Sequence, residues 1–145
     1  MANPEELQSM INDARRLHGH LGPFLVIGVK MGMAAKKALG VSNEECTLLR
    51  AEANVPFFPP YSCLLDGIQV STTCTVGNQR LTIKNSEEIC VRFSKQGVTK
   101  TVKITLKPKM AAELKKKHVE QTLTEKFADE LASMPENQLL RIDLE

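Results

Sequence analysis

A chain of 145 residues can bury one core without disulfides or an obligatory metal, so a single domain over residues 1–145 is expected. With 42% hydrophobic and 25% charged residues it is not a disordered chain, and a net charge of +2 with 4% aromatic residues and no Trp argues against a nucleic-acid reader built on stacking platforms. No apolar run nears the roughly 18 residues needed to cross a bilayer, and no charged start precedes an apolar signal core, so a cytoplasmic protein without a membrane partner is expected.

Asn3-Pro4-Glu5-Glu6 is a helix-start signal: Asn can cap, Pro suits the first turn, and two carboxylates meet the positive end of the helix dipole. The helix is predicted to run to about Leu17, with Leu7, Ile11 and Ala14 on one apolar face. His18-Gly19-His20-Leu21 interrupts it, and Gly22-Pro23 opens a second helix, apolar on nearly every side and therefore central. Gly28 and Gly32 form a smooth stripe along it that lets another backbone approach, and Gly40 stops it. Cys46 to Asn54 reads as a strand, and the prolines of Pro56-Phe57-Phe58-Pro59-Pro60-Tyr61 exclude regular structure.

Ser62 is predicted to cap a short helix from Cys63 to Val70. From Leu81 the period changes: Leu81 to Ile83, Glu88 to Ser94 and Val98 to Leu106 alternate as antiparallel strands with one wet face, and Lys95-Gln96-Gly97 turns between the last two. Pro108 starts a basic helix to His118, Thr122 with Glu125 matches a capping box for another, and Leu139 to Leu144 reads as a closing strand.

The chemistry gathers at two of these places. The glycine between His18 and His20 lets both imidazoles turn to one point, which suits zinc or another late transition metal. A thiolate would complete three ligands and leave a position open. Cys63 is the preferred sulfur, because a helix N-terminus favours thiolate over thiol. Asp66, three residues on, either orients a histidine or caps local backbone. Cys74, in a polar turn, is the weaker ligand candidate, while Cys46 and Cys90 read as buried apolar side chains. The absence of any CxxC excludes a zinc ribbon or a dithiol redox pair. Histidines in loops commonly do no more than bond backbone carbonyls. Lys115-Lys116-Lys117-His118 reads as a solvated face complementing a helix C-terminus ahead of an anion site.

His18-Gly19-His20-Leu21-Gly22-Pro23, then Cys63-Leu64-Leu65-Asp66-Gly67-Ile68-Gln69 running into Thr73-Cys74-Thr75, resembles the FmdE-like family of formylmethanofuran dehydrogenase subunits, whose motifs are HGHxCPG-like and CxxDAIQ…GCTxGKGNL-like. The resemblance implies an α+β fold, a mainly antiparallel sheet packed against helices, with a metal, typically zinc, near the histidine loop. It puts His18, His20 and Cys63 on the metal positions, Asp66 on the acidic one, a candidate for catalysis, and Cys74 on the second cysteine. It also implies self-association, as a dimer, and a partner oxidoreductase subunit in one-carbon or molybdenum/tungsten enzyme metabolism. Three departures stand out: Gly22 replaces a cysteine, Phe24 a glycine, and Gly77-Asn78-Gln79-Arg80 the GKGN-like segment, while the C-terminal zinc-ribbon extension is missing. Two readings follow. One is a metal-binding protein acting in or beside that metabolism, with its being an enzyme left open; the other is a non-catalytic homodimeric interaction or accessory module, joined through the glycine-striped helix, in which the histidines are structural.

Overall fold

Asn3 starts the first helix as its residue type dictates: its Oδ1 accepts the Glu5 N–H at 2.8 Å, and α1 runs Pro4–His18. The computed structural model describes residues 3–145. Gly19 closes α1 in the left-handed region at φ 98°, its N–H returning to the Arg15 carbonyl, so His18 belongs to the helix end and the turn follows it. Helix α2 (Pro23–Leu39) is buried at every residue from Pro23 to Lys36 and ends at the left-handed Gly40.

The sheet has five strands, β1 (Leu49–Val55), β2 (Leu81–Asn85), β3 (Cys90–Lys95), β4 (Thr101–Leu106) and β5 (Leu140–Leu144), in the order β2-β1-β3-β4-β5. The pairs β1–β3, β3–β4 and β4–β5 are antiparallel, as the alternation predicts. The pair β1–β2 is parallel. This corrects the expectation for the strand at Leu81, and the reason is covalent: helix α3 (Cys63–Thr72) lies between β1 and β2 and serves as the crossover that a parallel pair requires. Leu49, Ala51, Ala53 and Val55 of β1, Val91 and Phe93 of β3, and Val102 and Ile104 of β4 are buried on one face, where α2 packs on β3 and β4. The other face carries Glu52, Arg92, Lys103 and Asp143 in register across four strands. The result is the α+β arrangement expected, with helices against a mainly antiparallel sheet.

Three local readings are corrected. Cys46 to Leu48 is not strand but the end of a 3-10 turn (Asn43–Leu48), because Ser42 and Glu45 form a reciprocal capping box ahead of it. Ser62 makes no side-chain capping bond to α3. Helix α5 (Glu125–Ser133) is capped by Thr124, whose Oγ1 accepts the Phe127 N–H, and not by Thr122. Helix α4 covers Pro108–Val119, and a one-turn helix α6 (Glu136–Leu139) leads into β5.

The glycine stripe of α2 is filled by α3. A Cβ placed on Gly28 would lie 1.9 Å from the Leu64 carbonyl oxygen, and one on Gly67 would lie 2.3 Å from the Leu25 carbonyl oxygen. The two helices therefore meet backbone to backbone. The stripe is spent inside one chain, so it is not the surface through which two copies could join.

Candidate functional site

This interlock brings the end of α1, the turn before α2 and the first turns of α3 together. His18 Nδ1–H donates to Asp66 Oδ2 at 2.7 Å across 48 residues of sequence. The second oxygen of Asp66 accepts from Gln69 Nε2 at 3.1 Å, so both carboxylate oxygens are engaged. His18 is largely enclosed, its side chain 14% exposed, and its Nε2 is buried with no hydrogen-bond partner among the described residues. His20 is exposed, and its ring lies 4.6 Å from that of His18, centroid to centroid. The positive φ of Gly19 is what folds the second imidazole back against the first.

Of the two roles open to Asp66, the structure selects orientation of a histidine. Cys63 is half-buried at the N-terminus of α3, but the helix end does not win there. Burial pushes its thiol up from 9.0, and the charge of Asp66 adds to that. The expected preference for thiolate is thus reversed by desolvation and a neighbouring anion. Cys74 follows α3 at its far end, about 15 Å along the helix axis from Cys63. It is fully buried, with its thiol pushed up by that burial, and it lies away from the histidine turn. Among the described residues, no three or more His, Cys, Asp or Glu side chains form a group that could hold a metal ion.

Beyond this cluster, Tyr61 packs edge-on against Phe24, Phe58 and His118, with centroids 5.1, 5.3 and 5.8 Å away. It also lines a groove of about 760 Å³ between the proline-rich loop, the β2–β3 turn and α4, with Phe58, Ile89, Glu87 and Lys115 among its walls. Of the basic run, Lys115 borders this groove, Lys116 is exposed, and Lys117 Nζ sits 4.5 Å from the centre of the Phe127 ring.

The family model described as "FmdE, Molybdenum formylmethanofuran dehydrogenase operon" matches residues 17–142. The chain belongs to the FmdE family. A crystal structure of a tungsten formylmethanofuran dehydrogenase FmdE-like protein from Syntrophus aciditrophicus shares the fold with this FmdE-family chain, with a TM-score of 0.71 and 20% identity over 96% of this chain and 71% of that one. A curated relative from Archaeoglobus fulgidus, a "Probable S-adenosyl-L-methionine-binding protein", is 38% identical over 81 residues, which are 55% of this chain and 22% of the relative. The match therefore spans about a fifth of that protein's length.

Family membership gives the Gly22 departure a location. A Cβ on Gly22 would have His20 Nε2 as its nearest neighbour, at 3.7 Å, so a cysteine at this position, as the HGHxCPG-like resemblance implies, would lie beside the exposed imidazole. The residue that sequence reasoning left without a role is Gln69. Its position three after Asp66 on a helix is the signal that could have found it, since residues at that spacing are neighbours on one face.

Proposed function

We propose that this FmdE-family chain binds a transition metal ion, zinc foremost, at the histidine turn, with His18 Nε2 as the anchoring donor. The observation that carries the reading is the unpartnered, buried Nε2 of a ring whose Nδ1–H is held by Asp66. A carboxylate behind an imidazole fixes the tautomer that leaves Nε2 free to donate, and this is the usual support of a metal-binding histidine. His20, its ring 4.6 Å from that of His18, would supply the second nitrogen; Cys63 does not group with the two imidazoles as the side chains stand, so it would join as the sulfur only by moving in and losing its thiol proton. Such an ion supplies Lewis acidity and a bound water acidified towards neutrality. Asp66 keeps its proton partner at Nδ1, and the exposed face of His20 is where an incoming molecule would arrive. We propose with it a role in one-carbon or molybdenum/tungsten enzyme metabolism, beside an oxidoreductase partner; the words "Molybdenum formylmethanofuran dehydrogenase operon" in the family description are what support the reading. We also propose a homodimer, through a face other than the glycine stripe, which light scattering on a sizing column would read directly.

The test is metal analysis of tag-free protein. About one zinc per chain, lost in His18→Ala and weakened in Cys63→Ala, supports the reading. A metal-free protein whose zinc titration is unchanged by His18→Ala overturns it.

A second reading rests on the groove. Glu87 and Lys115 line it from different elements, and neither forms an ion pair among the described residues. With Tyr61 and Phe58 beside them, these walls suit a flat ring joined to an amino-acid group. The name of the Archaeoglobus relative suggests S-adenosylmethionine as the compound to try. Calorimetric binding that is lost in Tyr61→Ala and Lys115→Glu supports this reading, and no heat with the wild-type protein overturns it.

A further inference from the structure

The turn after α3 is organised around one side chain. Asn78 Oδ1 accepts from the Thr75 and Arg80 N–H groups at 3.0 Å each, and its Nδ2 donates to the Thr73 carbonyl at 2.7 Å. Arg80 then ties this turn to the body: its guanidinium donates to the Cys46, Leu49 and Thr73 carbonyls at 2.6, 3.2 and 2.8 Å. Thr73 enters the turn in the left-handed region, at φ 59°. The segment from Thr73 to Arg80 is thus a self-bonded unit. Of its backbone donors, the Val76 N–H is lent back to α3, to Gln69 Oε1 at 3.2 Å.

Gln69 spans the gap between this turn and the histidine. Its oxygen accepts from Val76 and its nitrogen donates to Asp66, and only one orientation of the carboxamide satisfies both. We infer that Gln69 is a positioning residue that couples the Thr73–Arg80 turn to His18: the turn sets the carboxamide, the carboxamide sets the Asp66 carboxylate, and the carboxylate decides which ring nitrogen of His18 carries the proton. Anything that binds or displaces the turn is then felt at Nε2 through two side chains, with no contact of its own to the imidazole. The coupling rests on the reading of Nε2 as the working atom only for its consequence in metal binding, because the coupling itself concerns the metal-free chain.

The experiment uses ¹⁵N-labelled full-length protein without metal, at a single mildly alkaline pH. Two-bond ¹H–¹⁵N spectra identify the protonated ring nitrogen of His18. The wild type should show one tautomer, with the proton on Nδ1. Gln69→Met removes both bonds, Gln69→Glu keeps only the acceptor for Val76, and Val76→Pro removes the donor from the turn while leaving Gln69 and Asp66 untouched. Each should give mixed tautomers in a folded protein, with zinc affinity lowered about tenfold. A single Nδ1–H tautomer and wild-type zinc affinity in the folded variants overturn the coupling. Should Gln69→Met fail to fold, the other two still decide. Mixed tautomers in variants of a chain that binds no zinc uphold the coupling and reject the metal reading, whereas wild-type tautomers with tight zinc binding do the reverse.

Discussion

A buried polar atom without a partner costs a fold about 1–3 kcal/mol, and His18 Nε2 is such an atom. If a metal ion makes up that cost, the dependence on Asp66 follows. Asp66→Asn removes the charged acceptor of Nδ1–H and should weaken zinc binding by about 10–100-fold while the far-ultraviolet circular dichroism stays that of the wild type, as a chelator competition assay can measure. Gly22 offers the opposite experiment. Its backbone is extended, at φ −135° and ψ 164°, and the nearest neighbour of an added Cβ is at ordinary contact distance. Gly22→Cys should therefore fold normally and bind zinc on the order of tenfold more tightly, read by the same competition. Residue types alone made the histidines, Cys63 and Asp66 visible as candidates, because few other side chains do metal or proton chemistry. They could not show that Cys63 is held as a thiol, or that Asp66 rather than a carbonyl receives His18. Those outcomes depend on burial and on a contact spanning 48 residues.

Lys30 shows what joining two elements requires. Its ammonium, on a residue 8% exposed, donates to the Leu131, Ala132 and Met134 carbonyls and so closes the C-terminus of α5 from the middle of α2. Burial lowers its pKa from the ordinary 10.5, with the charge of Glu136 opposing. The unfolded chain then holds that proton more tightly, so unfolding free energy should rise with pH from the lowered folded value up to 10.5. In Lys30→Met this rise should vanish and stability should fall by about 2–4 kcal/mol, as urea unfolding at several alkaline pH values would show. The α2–α3 interface gives a steeper case: Gly28→Ala puts a methyl group against the Leu64 backbone and should cost about 3 kcal/mol or more, whereas Gly22→Ala should be nearly neutral by the same measurement. The glycine pattern announced a close approach. It could not name the partner, and the helix that fills the stripe belongs to the same chain. Helix starts with a local cap were legible to within a residue or two, while the 3-10 turn at Asn43 took residues whose alternation resembled a strand.

At the scale of the whole chain, strand directions were legible wherever a short turn joined neighbours, as at β3–β4. They failed at β1–β2, where direction is decided by a helix crossing over the sheet. That crossover makes α3 the hub of the molecule, since it carries Cys63, Asp66 and Gln69 while resting on α2, which rests in turn on β3 and β4. Native-state hydrogen exchange should accordingly find the amides from Val29 to Ala35 of α2 opening only with the free energy of global unfolding, and those of the Thr73–Arg80 turn opening far more cheaply. Equal protection in the two segments would contradict this. The backbone contact of Gly28 and Gly67 then acquires a kinetic meaning. Helices with side chains between them can slide by small rotamer changes, but two bare backbones have no such gearing. The His18 Nε2 atom therefore cannot be uncovered by α2 and α3 sliding past one another, and a metal ion reaching it would have to come past the exposed His20, through motion of the turn and not of the helices.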